Sequence, residues 1–295
     1  LCQQFLKRRD LLDKLVEKLV EITDFYGFDG WLINIENKVD NVESVLYFLR
    51  QLKAKLKAID SALYKVVWYD SITISGDLAW QNELNSLNEC YFQCCDHFFV
   101  NYTWTDENLE RTVANATRID RLHQIYTGVD VFGRGCFGGG GFDTYKALEK
   151  ISHYNLNCAL FAPAWVYECN DRKQFLPNSQ LFWQLICKYL RSHSILALPL
   201  ITTFTNGCGN RFFLNGANTT LVQQPSVQKN ENENENENSG WFNLNLQSLL
   251  PLLYEYDENK EQITIGAEWC QNDGLYASNC LLIRESAFTL FNLNI

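Results

Sequence analysis

Asn34-Ile35-Glu36 closes the run Gly27-Phe28-Asp29-Gly30-Trp31-Leu32-Ile33-Asn34-Ile35-Glu36, and this ending is where the chain could do chemistry. The run reads as a buried strand. Successive strand residues point to opposite faces, so Asn34 and Glu36 share a side, roughly 7 Å apart. A carboxyl group and a carboxamide held that way at the mouth of a barrel suit sugar chemistry. The carboxyl protonates a glycosidic oxygen, and the carboxamide orients a substrate amide that acts as nucleophile.

Other residues could join them. Tyr69 follows Trp68 on a second strand; a phenol there is either a core aromatic or a rim hydroxyl. Asp70 points the other way and reads as an acceptor for backbone donors. Trp80, Trp104 and Trp165 lie just after strands or at their ends. Their flat faces could stack on sugar rings, although tryptophans also serve as packing residues. Asn101, Tyr102, Asp130, Arg134 and Glu168 lie at or near strand ends and could bind hydroxyl groups. The tract Gly138–Gly141 lacks the Lys-Ser/Thr of a phosphate loop and reads as a mobile rim loop.

These residues must be positioned by alternating elements. Strands are predicted at Phe28–Glu36, Lys65–Ser71, His97–Trp104, Gln124–Phe132, Asn157–Tyr167 and Ile195–Phe204. Between them, Leu11–Tyr26 carries apolar residues at helical spacing, and Val42–Ile59 repeats the pattern. Alternating strands and helices imply a parallel sheet, with a site at the C-terminal rim of a β/α barrel. After Phe204 the pattern changes. A low-complexity Asn/Glu tract spans Gln228–Ser239 and reads as a disordered loop. The runs WFNLNL, ITIGAEW, NCLLIRE and FTLFNLNI then suggest the strands of a sandwich. The expected partition is 1–215 for a catalytic domain, 216–240 for the loop and 241–295 for a β-rich module.

Bulk properties narrow the function classes. The 295 residues suffice for one large or two modest domains. A formal net charge of −10 argues against nucleic acid and against an anionic membrane surface as partners. No segment approaches a membrane span, and the first residues show no signal peptide. The 11 cysteines are odd in number and many sit in apolar runs, which fits reduced thiols in a cytosol rather than a disulfide scaffold. Cys90, Cys94 and Cys95, with His97 nearby, could suggest zinc. A second ligand pair is missing, so packing thiols are the expectation. Oligomeric state is not legible.

Several blocks together resemble the cytosolic endo-β-N-acetylglucosaminidases of glycoside hydrolase family 85: FDGWLINIEN at Phe28–Asn37, WYDS at Trp68–Ser71, WQNEL at Trp80–Leu84, FFVNYTW at Phe98–Trp104, GVDVFGRG at Gly128–Gly135 and LFAPAWVYEC at Leu160–Cys169. The resemblance implies a (β/α)8-type TIM barrel followed by a β-sandwich-like region. The six predicted strands would then be short of eight, with the first two βα units absent. It implies cleavage of the N,N'-diacetylchitobiose core of N-linked glycans or free oligosaccharides, with retention and through an oxazolinium intermediate. Glu36 would be the acid/base, with Asn34 and Tyr69 holding the acetamide. Trp80, Asn101, Trp104, Asp130 and Trp165 would bind substrate. No cofactor or metal is implied. Two alternatives stay open. One is a non-catalytic remnant of the family that at most binds glycans. The other is a chitinase-like hydrolase, against which Leu32 and Asn34 count, because they stand where the chitinase motif FDGxDxDxE has aspartates.

Overall fold

The computed structural model describes residues 2–190, 201–219, 241–243, 246–251, 254–256, 262–264 and 266–284, and they fall into two compact units. The first holds residues up to Phe175 together with Lys188–Leu190. In chain order it contains α1 (Cys2–Leu6), α2 (Arg9–Tyr26), β1 (Gly30–Ile33), α3 (Val42–Ile59), β2 (Lys65–Tyr69), α4 (Glu89–Cys94) and β3 (His97–Val100). Then come α5 (Asp106–Arg118), β4 (Ile125–Asp130), α6 (Thr144–His153), β5 (Asn157–Phe161) and α7 (Trp165–Glu168). The strands form one parallel sheet in sequential order, β1-β2-β3-β4-β5. Neighbouring parallel strands need crossovers, and the intervening helices supply them. The chain is thus an α/β protein with a sheet of the expected kind.

Local chemistry sets the element ends. α2 buries Leu12 and Val16 and stops at Gly27, whose left-handed φ of 67° lets its N–H reach the Thr23 carbonyl. Gly30 opens β1 for a steric reason: a Cβ there would lie 1.8 Å from the Lys65 carbonyl oxygen. Asn41 caps α3 by accepting from the Ser44 N–H at 3.1 Å. Thr105 and Asn108 close a reciprocal capping box on α5.

The two faces of the sheet differ. One face buries Val66, Trp68, Phe98 and Val100 among residues such as Leu49, Leu52, Leu56, Tyr91 and Phe92. Trp68 stacks on Tyr91 with ring centroids 4.4 Å apart. Each such aliphatic side chain contributes about 1.5–3 kcal/mol by leaving water. The register puts Leu32 beside Val67, Tyr69 beside Phe99, and Phe99 beside Tyr126. These residues, with Gly128 and Asp130, line the opposite face, which is less buried at Leu32, Val67, Phe99 and Tyr126.

All five strands of the sheet are shorter in the structure than predicted; β2 ends at Tyr69 and β4 at Asp130. β1 ends at Ile33, so Asn34 and Glu36 lie just past it. β3 ends at Val100, before Asn101 and Trp104. β5 ends at Phe161, after which Ala162 adopts a φ of 56° and Trp165 starts a short helix. In these last three cases the apolar pattern runs on past the last ladder hydrogen bond, because rim side chains still pack on their neighbours. The predicted sixth strand lies mostly at 191–200, outside the described residues, and 201–204 are irregular. The Asn/Glu tract and the last apolar run also lie outside them.

The second unit comprises Leu176–Cys187 of a helix spanning Phe175–Cys187 (α8), and the described residues from 201 onward. Its strands are short and antiparallel. Phe213–Leu214 pairs with Ala217–Asn218 and with Tyr276–Ala277, and Ala267–Cys270 pairs with Cys280–Ile283. Buried Ser278 and Asn279 tie down the start of this region. Ser278 shares a 2.7 Å hydrogen bond with Thr205, and the Asn279 amide donates to the Phe204 carbonyl at 2.7 Å. No helix among the described residues is long and apolar enough to cross a membrane.

Candidate active site

The C-terminal ends of β1 to β5 converge on one rim, and the strand alternation decides which side chains meet there. Leu32, Asn34 and Glu36 are exposed, whereas Ile33 and Ile35 are half-buried. The period-two pattern therefore continues past the end of β1. Leu32 shares its face with Val67, which puts Asn34 and Glu36 on the side of Tyr69. Glu36 is close enough to act electrostatically on both Tyr69 and Tyr102.

Two phenols lie within electrostatic reach of the Glu36 carboxyl. Tyr69 is buried, its ring 6.0 Å from that of Tyr102. Tyr102 in turn packs 5.3 Å from Phe161 at the end of β5. Burial, then Tyr102, Glu36 and Asp70, push the Tyr69 phenol above its ordinary range. Burial, then the charge of Asp130, push Tyr102 up to about 12. Both hydroxyls therefore stay protonated at neutral pH.

Asp130 ends β4 and is buried. Its carboxylate accepts from Arg134 Nε at 2.7 Å and from the Phe132 N–H at 3.1 Å. The Arg134 guanidinium is raised in pKa by that hydrogen bond and by the charge of Asp130. Asn101, just past β3, is 8% exposed and accepts the Tyr69 hydroxyl at 2.5 Å. Its Nδ2 donates to Asn82 Oδ1 at 2.7 Å.

Asp70 has the structural role read from the sequence. It accepts from the main-chain N–H groups of Gln81 (3.0 Å) and Asn82 (2.7 Å) and from Asn88 Nδ2 (3.0 Å). Burial raises its pKa to about 6 against the opposing effect of these bonds. The loop it holds carries Trp80. Ala79 donates to the Ser71 carbonyl at 3.0 Å and Gln81 to Asp70, so the exposed indole sits between two anchored residues. Glu83 fastens the same loop to α5. Burial alone would raise its pKa, but hydrogen bonds from Asn108, Asn85 and Arg111 leave it lowered.

The three tryptophans thus differ. Trp80 offers an open face. Trp165 is half-buried, edge-on to Phe142 at 5.2 Å. Trp104 is 3% exposed, stacks on Phe137, and donates its Nε1–H to the Gly128 carbonyl at 2.8 Å. It occupies a packing position and has no open face for a sugar ring. Glu168 is exposed at the end of α7. Gly138–Gly141 is held by a 2.7 Å bond from the Gly141 N–H to the Val131 carbonyl. Asn82 and Phe161 went unnoticed in the sequence; both lie inside quoted blocks, but neither has a spacing that singles it out.

The rim therefore presents an exposed carboxyl and carboxamide beside two phenols, an Asp–Arg pair and an exposed indole. A carboxyl open to solvent can deliver a proton and recover one from water, and an exposed amide can hold a second amide. Among the described residues no three His, Cys, Asp or Glu side chains gather as a metal ion would require.

The profile of glycosyl hydrolase family 85 matches residues 1–212. The cytosolic endo-beta-N-acetylglucosaminidase of Homo sapiens is 39% identical over 96% of this chain and 36% of its own length. That of Gallus gallus is 41% identical over 93% of this chain and 36% of its own, and cytosolic endo-beta-N-acetylglucosaminidase 2 of Arabidopsis thaliana is 35% identical over 90% and 36%. The chain spans a little over a third of the length of these relatives. Its fold is similar to the glycoside hydrolase domain of Endo-D from Streptococcus pneumoniae R6, with a TM-score of 0.63, 20% identity, and coverage of 90% of this chain and 44% of that one.

Proposed function

The chain belongs to glycosyl hydrolase family 85, and from that premise we propose that it carries the catalytic rim of an endo-acting glycosidase. The substrate would be the N,N'-diacetylchitobiose core of N-linked glycans or of free oligosaccharides. Glu36 donates its proton to the glycosidic oxygen as the bond to the anomeric carbon breaks. The acetamido oxygen of the same sugar attacks that carbon from the other face and forms an oxazolinium. Glu36, now a carboxylate, takes a proton from water as the water opens the ring, so configuration is retained. Asn34 and Tyr69 hold the acetamide. Trp80 stacks on a sugar ring, while Asn101, Asp130 and Trp165 contact hydroxyls. The observation that carries this reading is that Glu36 and Asn34 share the exposed side of the β1 rim with Tyr69.

The same proposal covers the finer architecture. The five parallel strands would be consecutive strands of a (β/α)8-type barrel, and the antiparallel strands of the second unit would be sandwich-like. The partition at 1–215, 216–240 and 241–295 belongs to it too. The names of the relatives put them in the cytosol, and we extend that location to this chain.

Glycan release from a high-mannose glycopeptide tests the reading, with Glu36→Gln as control. Release of a glycan ending in a single N-acetylglucosamine is expected. The control should lose about 10²–10⁴-fold or more in rate, the usual span of a general acid/base. Wild-type-like turnover in Glu36→Gln would sink the assignment. No release by a folded chain would favour glycan binding without turnover.

A further inference from the structure

Asn82 is held in an unusual way for a loop residue. Its φ is 56°, in the left-handed region that asparagine tolerates better than most side chains. The Asp70 carboxylate grips its main-chain N–H. Leu84, two residues on, donates to Thr112 Oγ1 at 3.1 Å and accepts from Asn115 Nδ2 at 2.9 Å, so the corner is braced from α5 as well. From this corner the Asn82 side chain faces three groups: the Thr103 N–H at 3.2 Å, Thr103 Oγ1 at 2.7 Å and Asn101 Nδ2 at 2.7 Å.

The direction of every bond in this chain can be deduced. A main-chain N–H can only donate, so the Asn82 atom facing Thr103 is the oxygen. The Asn101 atom facing that oxygen must then be the NH₂ group, because two carbonyl oxygens at 2.7 Å would repel. That leaves the Asn101 oxygen facing Tyr69, so the Tyr69 hydroxyl must donate to it. The phenolic proton is thereby committed; Tyr102, which also hydrogen-bonds this hydroxyl, must then donate to it, and the remaining lone pair of Tyr69 is what is left for anything else at the rim. Reversing the Asn101 amide would set two acceptors against each other at the buried Tyr69 end or two like groups at the part-buried Asn82 end, which is costly.

We propose that Asn82 is a positioning residue that fixes the polarity of the Tyr69 hydroxyl, so that Tyr69 meets the bound sugar as a hydrogen-bond acceptor and not as a donor. The proposal rests on the reading of the site given above. It makes the specificity of this position one for a substrate hydroxyl or amide N–H. Asn82 does not touch the sugar; it acts through Asn101 and Tyr69.

The test uses the purified full chain and four variants. Asn82→Gly keeps the left-handed corner and removes the oxygen; Asn82→Asp keeps an acceptor in the same place. Tyr69→Phe removes the hydroxyl, and the double variant combines it with Asn82→Gly. On a high-mannose glycopeptide, Asn82→Gly should lower kcat by about tenfold, the worth of one hydrogen bond, with KM little changed. Asn82→Asp should restore most of that loss. In the Tyr69→Phe background, Asn82→Gly should cause no further loss. Wild-type kcat in Asn82→Gly, or losses that multiply in the double variant, would overturn the proposal. Should Asn82→Gly fail to fold, Asn101→Ala must reproduce the same pattern against Tyr69→Phe. If the folded wild type releases no glycan, the functional reading fails separately. The network is then judged by NMR of the slowly exchanging Tyr69 hydroxyl proton. It should be present in wild type and Asn82→Asp and lost in Asn82→Gly; its persistence in Asn82→Gly would refute the proposal.

Discussion

Replacing Asp70 by asparagine removes its charge and keeps one acceptor oxygen for the Gln81 and Asn82 N–H groups, while the bond from Asn88 Nδ2 is lost. The side chain is buried and its pKa lies near 6, against 3.8 for an unhindered aspartate. Between pH 4 and 6 the unfolded chain therefore releases a proton that the folded chain keeps. The folded state is disfavoured as pH rises through that window, and the effect is complete above it. Two pH units correspond to about 3 kcal/mol. Urea unfolding should show the wild type losing on the order of 3 kcal/mol relative to Asp70→Asn between about pH 3 and about pH 7. Parallel pH profiles would mean that the carboxylate is solvated. At Asn34 the expected outcome is chemical rescue. Asn34→Ala should fail on the intact glycan but regain part of its turnover with a preformed oxazoline donor, and no rescue would count against its part in holding the acetamide. As candidates, Glu36 and Asn34 were legible because strand alternation and a strand end single them out, while Tyr69 and Asp130 stood out through the family blocks around them. Asn82 was not, because its importance comes from a left-handed corner and from two amides that meet only in three dimensions.

β1 is tied to β2 at its very first residue, where the backbones come too close for any side chain. Gly30→Ala would put a methyl group 1.8 Å from the Lys65 carbonyl oxygen. The strand must move or detach, at an expected cost above about 3 kcal/mol. Gly27→Ala meets nothing within 4 Å and suffers only the left-handed φ, about 1 kcal/mol. Thermal melts of the two variants should separate clearly, and equal losses would contradict the close approach of β1 to β2. The glycine of the FDG block thus has a packing reason independent of chemistry. Five strand positions were readable from apolar runs, but their C-terminal ends were not. Tyr102, Trp104 and Trp165 extend the aromatic pattern while the backbone has already left the ladder. The loop from Ser71 to Leu84 has no periodicity at all, and its shape is dictated by Asp70, Glu83 and their donors.

On the scale of the molecule, the ten cysteines from Cys90 to Cys280 are free thiols. With no cross-link among these ten to restrain the unfolded ensemble, the unfolding midpoint should be the same with and without a reductant. A shift on adding dithiothreitol would reveal a disulfide. Oddness of count and apolar surroundings made this legible from the sequence, whereas the grading of the thiols by depth was not. Cys169 and Cys187 are exposed, while Cys95, at the end of α4, is fully buried and burial pushes its thiol far above the ordinary range. That grading amounts to a clock. An alkylating reagent will reach Cys169 directly, but Cys95 only as often as the corner between α4 and β3 opens to water. Counting labelled Cys95 against time would report the breathing of the sheet's packed face without any probe being added to the protein.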